Sequence, residues 1–452
     1  MDTDTASSND KNHQKKRRHA LVAAMGGFFV DMFDVYLPAV ALAPAIVYFL
    51  PDHATGVEKA TFTALVFAVS LVGRPLGALI FGSLGDRIGR RRTTIMVAIG
   101  FTACTGVIAV LPGYAVAGFI PAVALVVLRL LDGVFLGGEY TAANPLAMEY
   151  APEHRRGLYG GLIHIGFPAA LAAITIVTML TLSVFESGGP ADPYSVWGWR
   201  IPFVIGFLIS LWVVIYYLRS VPESEIWTKM TKVDRPLATL FSLSNARALG
   251  LSFIVGSGAW LVLNGNVGVF AAHFKNLDVS VSTINGIILT AAVPAAFTFP
   301  FIGEAAQRYG RGRVIAVLGV LNIVVAAPMF GIAVANSAEA NATLWVSGAL
   351  CLYVSLLIWS VITPFIIEMF PPQVRSSGYG IAYSFPSIIP AFFTYYMLWL
   401  GNVMSYDYTP IVFTVLGGAL ILIGALRCKD LRHVSMDGTH DVEAQPQRRP
   451  VA

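Results

Sequence analysis

A short basic turn occurs twice in this chain, and the repetition constrains its fold more than any other feature. The first copy reads GSLGDRIGRRR, Gly82 to Arg92, and the second GEAAQRYGRGR, Gly303 to Arg313. Gly82/Gly303, Arg87/Arg308, Gly89/Gly310, Arg90/Arg311 and Arg92/Arg313 recur 221 residues apart. A second pair follows at nearly the same spacing: EYAPEHRRGLYGG starts at Glu149 and EMFPPQVRSSGYG at Glu368. Two such pairs at one period describe a chain built from two related halves.

Each turn sits between long apolar stretches. Of 452 residues, 56% are hydrophobic and only 12% charged. A soluble protein carries about a quarter charged residues, and a core this large would leave no polar surface to cover it. Stretches near twenty residues match the thickness of a bilayer. Twelve are read, over 19–47, 61–84, 93–111, 119–148, 157–183, 199–218, 247–272, 281–303, 313–336, 342–369, 377–400 and 408–427. The expected fold is therefore an all-α membrane protein of twelve transmembrane helices in two pseudo-symmetric six-helix bundles. The bundles are expected at 19–218 and 247–427, joined by a polar cytoplasmic linker at 219–246. Residues 1–18 and 428–452 read as disordered cytoplasmic tails. The N-terminal tail is no cleavable signal, because the first apolar helix itself serves for insertion.

Charge sets the expected orientation. Of the 30 lysines and arginines, Lys59 and Lys275 fall in the loops of one side, and Arg74, Arg129 and Arg200 within or at the ends of helices; the rest fall on the other side. The positive-inside rule puts that richer side, with both termini, in the cytoplasm. It also accounts for the basic patches without nucleic acid. No GxxxxGK[ST], HExxH, CxxC or GxSxG is present. Cys104, Cys351 and Cys428 show no metal spacing. An enzyme, a metal and a cofactor are not expected, and tails this short hold no signalling domain.

GSLGDRIGRRR resembles the loop signature between helices 2 and 3 of the major facilitator superfamily, and RLLDGVFLGGEY, Arg129 to Tyr140, resembles its helix 4 motif. GGFFVDMFDVYL, the Arg74-Pro75 pair, GGEYTAANPLAMEYAPEHRRGLYGG and WGWRIPF are similar to the metabolite:proton symporters of that superfamily. The resemblance covers most of the N-terminal half; in the C-terminal half it rests on the turn and on EMFPPQVRSSGYG. It implies the major facilitator fold and a cargo such as 2-oxoglutarate, citrate, shikimate, proline or betaine. Asp31-Met32 stands where the group has a glutamate and an aromatic, Asp132 where glutamine is usual, and Asn144-Pro145 where small residues are common. These departures leave the fold intact and the cargo open.

Ionisable residues at membrane depth are costly and usually mark function. Asp31 and Asp34 share one face of the first helix. At least one of them is expected to carry the coupled proton, the alternative being a structural pair that fixes the helix against an arginine. Arg74 is the expected carboxylate ligand, since guanidinium presents a planar fork. Arg200 either joins it or anchors at the outer interface beside Trp197 and Trp199. Arg129 and Asp132 read first as an internal ion pair that protonation could open, freeing Arg129 for cargo. Glu139 and His164 complete the proton-coupling set, though a histidine held for packing is as good a reading. Tyr36, Asn264, Trp359 and Tyr383 are expected to add polar contacts and aromatic walls. Asp86, Arg87, Arg90, Arg91 and Arg308 in the turns, with Glu149, Arg155, Glu368 and Arg375 in the second repeat, are expected to gate the cytoplasmic side. Asp86 is expected to pair with arginines across the halves, and Gln307, its counterpart, would make that latch asymmetric. The reading is a monomeric proton-coupled symporter for uptake of a small organic acid. A zwitterionic osmolyte or amino acid, or a proton-antiport exporter, are the alternatives.

Overall fold

The computed structural model describes residues 2–339 and 341–437. Among the described residues, twelve helical segments are long and apolar enough to cross a membrane. They are α1 (Lys11–Phe49), α2 (Thr61–Ile88), α3 (Arg90–Ala109), α4 (Ile120–Tyr150), α5 (Glu153–Val184) and α6 (Tyr194–Ser220) in the first half. The second half holds α7 (Leu243–Asn276), α8 (Val281–Tyr309), α9 (Arg311–Ala335), α10 (Ala342–Ile367), α11 (Pro372–Leu400) and α12 (Tyr406–Arg427). Each expected span matches one of these to within a few residues, apart from the earlier start of α1. Large apolar side chains such as Ile80, Val123, Phe297, Phe301 and Val346 stay exposed on the bundle's flanks, which is where lipid replaces water.

Two glycines shape both basic turns. Gly89 (φ 114°) and Gly310 (φ 103°) end α2 and α8 in a conformation that side-chain-bearing residues rarely adopt. Each lets the chain reverse directly into the next helix. The two copies of the turn therefore lie at one end of the molecule, here called the basic end.

Small residues let α2 and α4 approach until their backbones touch. A Cβ on Gly73 would lie 2.6 Å from the Leu130 carbonyl oxygen, and one on Gly137 would strike the Arg74 backbone. This contact holds Arg74 against α4, wholly buried. Other helices change pitch. The α-helix that begins α1 passes at Leu37 into a π turn and then a 3-10 turn ending at Phe49. A π turn at Asn264–Gly268 interrupts α7, and Pro386 and Pro390 break α11. Such breaks in membrane helices free backbone groups near binding sites.

Two expectations, the disordered tails, need correction. The N-terminal tail is helical, since the α-helix that begins α1 runs over Asp2–Tyr36. It is tethered, with Lys16 paired to Glu225 at 2.8 Å and His13 packed on Tyr150 at 6.0 Å. The expected linker region carries short helices at Glu225–Lys229 and Pro236–Leu240. The C-terminal tail up to Asp437 packs on the basic end, and its remainder lies outside the described residues.

Candidate functional site

Six ionisable groups meet inside the first half. Arg74 donates from Nη2 to Asp31 Oδ1 at 2.6 Å. Arg129 binds Asp34 at 2.8 Å and Asp132 at 2.9 Å through the same Nη1. Thr105 donates to the other oxygen of Asp34 at 2.7 Å. All of these side chains are buried. Both α1 acids thus face arginines on neighbouring helices, and the like-charge pair read from their spacing is resolved by separate partners. The Arg129–Asp132 ion pair is present, extended to a triad by Asp34.

The sixth group, Glu139, differs. Neither of its oxygens has a hydrogen-bond partner among the described residues, and it is 1% exposed. Its carboxyl packs on the α1 backbone at Gly27, where an added Cβ would collide with it. Four carboxyls therefore face two guanidiniums. Arg74 is only partly used: Nε and Nη1 have no partner among the described residues, and its Cζ stands 5.7 Å from the Tyr140 ring centroid.

Beyond Arg74 lies an aromatic cluster shared by both halves. Tyr140 packs on Tyr383 at 4.6 Å, Tyr383 on Trp359 at 5.6 Å and Trp359 on Trp260 at 5.0 Å between ring centroids. Tyr36 joins through Phe167, which packs on Trp359. The Trp359 indole nitrogen has no partner among the described residues. Asn264 turns back on its own helix, donating to the Trp260 carbonyl at 3.0 Å. One helical turn nearer the basic end, Asn144 donates to Tyr379 at 2.8 Å, and the Tyr379 and Thr363 hydroxyls meet at 2.7 Å. His164 stands 3.5 Å from Thr363 and packs on Phe28, well away from the arginines. Arg200 is elsewhere. It donates to the Leu111 and Val196 carbonyls and is caged by Tyr48, Trp197 and Trp199. The interfacial-anchor reading describes it, and the cargo-ligand reading is withdrawn.

At the basic end the halves are sealed together. Asp86 accepts from the Ser376 and Ser377 amides at 3.0 and 2.9 Å and from the Ser377 hydroxyl at 2.7 Å. Its partner is the positive N-terminus of the α11 helix, and the expected arginine pairing is corrected accordingly. Gln307 plays the equivalent part weakly, accepting from the Gly157 amide at the start of the α5 helix at 3.0 Å. Glu149 binds Arg90 at 2.8 Å within its half and Arg375 at 2.7 Å across the seam. Glu368 binds Arg311 at 2.9 Å. Burial pushes the Glu368 carboxyl up, against the opposing pull of Arg311. Arg311 and Arg90 occupy equivalent positions of the repeated turn.

Four gating assignments change. Arg155 is exposed, and its neighbour Arg156 is the buried equivalent of Arg375. Arg308 pairs with Glu304 on its own helix. Arg91 donates to the Val221 and Leu218 carbonyls, tying α3 to the end of α6 within one half. Arg87 is exposed and carries no ion pair among the described residues. The repeat register held the signal for Arg156, since Glu149 aligned on Glu368 brings Arg156 onto Arg375. Sequence reasoning also missed Glu223, which accepts from the Arg90 and Arg91 amides, and Trp227, whose indole donates to the Asp86 carbonyl at 2.9 Å.

Comparison with known proteins agrees with the fold. The family described as sugar (and other) transporter matches residues 19–248. The inner membrane metabolite transport protein YhjE of Escherichia coli (strain K12) is 27% identical over 434 residues, covering 93% of this chain and 96% of that protein. The alpha-ketoglutarate permease of the same organism is 26% identical over 391 residues, covering 86% and 88%. The solved structure of the major facilitator superfamily proton:xylose symporter XylE bound to 6-bromo-6-deoxy-D-glucose superimposes with a TM-score of 0.73. It covers 95% of this chain and 99% of its own at 16% identity, a likeness of fold.

Proposed function

The chain belongs to the sugar (and other) transporter family, and from that premise we propose that this multi-pass secondary transporter takes up a small organic acid together with a proton. The observation that carries the proposal is the half-used guanidinium of Arg74, with Asp31 on one nitrogen and two donor nitrogens unpartnered beside an aromatic wall. A carboxylate is the ligand that a guanidinium fork fits best.

Coupling follows from charge. Two buried anions compete for one cation, and leaving one of them uncompensated costs several kcal/mol. When Asp31 takes up a proton, Arg74 is released to hold the cargo carboxylate. When the proton leaves, Asp31 reclaims Arg74 and the cargo is expelled. Proton and carboxylate then travel together, and the site carries the same net charge loaded or empty. Glu139, whose oxygens have no hydrogen-bond partner among the described residues, is the second proton-holding group. Arg129, paired with both Asp34 and Asp132, positions α1 against α4. His164 acts in the layer between the aromatic cluster and the basic end.

Alternating access is the working cycle, with the basic end in the cytoplasm and the molecule in a bacterial inner membrane. The closed seam at Asp86, Glu149 and Arg375 makes this the cytoplasm-closed state. A monomer suffices, because one chain supplies every group named. A second reading, a zwitterionic cargo, draws on the aromatic cluster: Trp260, Trp359 and Tyr383 offer ring faces to an ammonium group while Arg74 keeps the carboxylate.

The test is a thermal-shift screen of detergent-purified protein at two pH values, against carboxylates, betaines, amino acids and sugars. A ligand at about 100 times its Kd stabilises by about 2.7 kcal/mol. Stabilisation by one class of carboxylate, stronger at the lower pH, is the expected result. Stabilisation by zwitterions alone selects the second reading, and stabilisation by neutral sugars alone overturns both.

A further inference from the structure

The last described stretch of the chain crosses the seam between the two halves. Arg156, from the first half, donates through Nη1 to the Val434 carbonyl at 2.5 Å. Arg375, from the second half, donates through Nη2 to the Met436 carbonyl at 2.9 Å. These arginines stand at equivalent positions of the repeated segments that begin at Glu149 and Glu368. The same donor thus grips the segment twice, once from each half. Arg156 and Arg375 are 5% and 2% exposed, so their donors are removed from bulk water. Arg432 adds bonds to the Gln307 and Arg308 carbonyls at 3.1 and 2.5 Å. Met436 is buried at 4% exposure, and His433 lies 3.3 Å from Glu153.

The seam reads mainly backbone. Its two buried guanidiniums satisfy main-chain carbonyls two residues apart, and one apolar side chain is enclosed. The segment is folded by turns at 432–433 and 436–437, with the Val434 amide donating to the Leu431 carbonyl at 3.0 Å, and a groove that holds it through main-chain carbonyls makes little demand on its sequence. The grip depends on the state of the transporter. Arg156 and Arg375 lie on opposite halves, and opening the basic end moves those halves apart. One short segment holds both arginines only while the seam is shut, so its binding free energy falls on the closed state alone.

We propose that the basic-end seam is a docking site for a short turn-forming peptide, that its ligand is this chain's own segment 431–437, and that docking holds the basic side closed. The first two statements stand on the contacts; the third rests on the alternating-access reading.

The test is hydrogen–deuterium exchange on the purified protein, without cargo or pH gradient, so that its outcome is independent of cargo chemistry. Three forms are compared: the full chain, a chain ending at Asp437 and a chain ending at Asp430. Seam segments 149–164 and 368–384 report on closure, and 36–49 and 260–272 report on the opposite end. Four hydrogen bonds from charged donors are lost in the shortest form, two from the seam arginines and two from Arg432, so its seam amides are expected to exchange at least about tenfold faster. The chain ending at Asp437 is expected to match the full chain. A synthetic peptide spanning 430–438, added to the shortest form, is expected to restore protection. A second variant, Met436→Asp in the full chain, is expected to loosen the seam without any deletion. Unchanged seam exchange in the shortest form overturns the proposal. So does a rise that spreads to both ends and does not respond to the peptide.

Discussion

Arg74 reaches Asp31 through a single nitrogen, Nη2 at 2.6 Å, and leaves Nε and Nη1 of its guanidinium without partners among the described residues. A buried ion pair held for stability alone gains most when the fork is fully used, because desolvation of the unused donors is otherwise uncompensated. The half-used fork is what an exchange of carboxylates at one cation requires.

Replacing Arg74 separates stability from transport. Arg74→Ala strands the Asp31 carboxylate and is expected to lower stability by about 3–5 kcal/mol. The double variant Arg74→Ala/Asp31→Asn removes both charges and is expected to recover most of that loss while uptake stays absent. Arg74→Lys keeps the charge and loses the planar fork, and a drop in carboxylate affinity of at least about tenfold is expected. Thermal unfolding and uptake into proteoliposomes check the three forms together.

Glu139 and Gly27 are coupled by space. Gly27→Ala is expected to lower the melting temperature, because the new methyl group meets the Glu139 carboxyl. Glu139→Ala in the same chain is expected to relieve it, a non-additivity of about 1 kcal/mol or more in a double-mutant cycle. Glu139→Gln alone is expected to leave stability within about 1 kcal/mol, since the carboxyl accepts no hydrogen bond that the amide would lose.

Asp86 closes the seam through three hydrogen bonds to the start of α11. Asp86→Asn removes the charge that faces the helix N-terminus and one acceptor, a loss of about 1–3 kcal/mol from the closed state. Faster alkylation of a cysteine placed at Ser376, whose hydroxyl takes no part in the latch, reports the shift, in Ser376→Cys and in Ser376→Cys/Asp86→Asn. Gln307→Ala, on the weaker side of the latch, is expected to have the smaller effect.

Arg200 lies outside the cargo site. Arg200→Ala is expected to lower thermal stability, through loss of its carbonyl bonds and ring contacts, and to leave the KM for uptake unchanged. A raised KM at unchanged stability would return Arg200 to the cargo site.

Much of this was legible in the sequence because it follows from counting. Twelve spans follow from apolar stretches matched to bilayer thickness, and the two halves from one repeated turn. Rarity at depth selected Asp31, Asp34, Arg74, Arg129, Asp132 and Glu139. Partner choice was not legible. Nothing local to Asp34 says that Arg129, on another helix, serves it and Asp132 at once. Trp359 and Tyr383 of the aromatic wall were legible, but Tyr140 and Trp260 look like any buried aromatic until α4, α7, α10 and α11 converge. Asp86 was placed at the gate but given the wrong partner, because main-chain amides at a helix start leave no mark in composition. Spacing within one copy does not separate Arg155 from Arg156; aligning Glu149 on Glu368 does, by bringing Arg156 onto Arg375. The Gln307 asymmetry was legible, as a substitution inside a repeat.

Proton-driven accumulation by Asp31→Asn, set beside its cargo exchange at equilibrium, tests the central claim most directly. Asparagine mimics the protonated acid, so Arg74 stays free for the carboxylate. In proteoliposomes with an acid-outside gradient, the expected result is that Asp31→Asn exchanges internal for external carboxylate yet no longer accumulates it uphill, and that its affinity no longer rises as pH falls. Uphill accumulation at the unmodified protein's level would contradict the exchange of partners at Arg74.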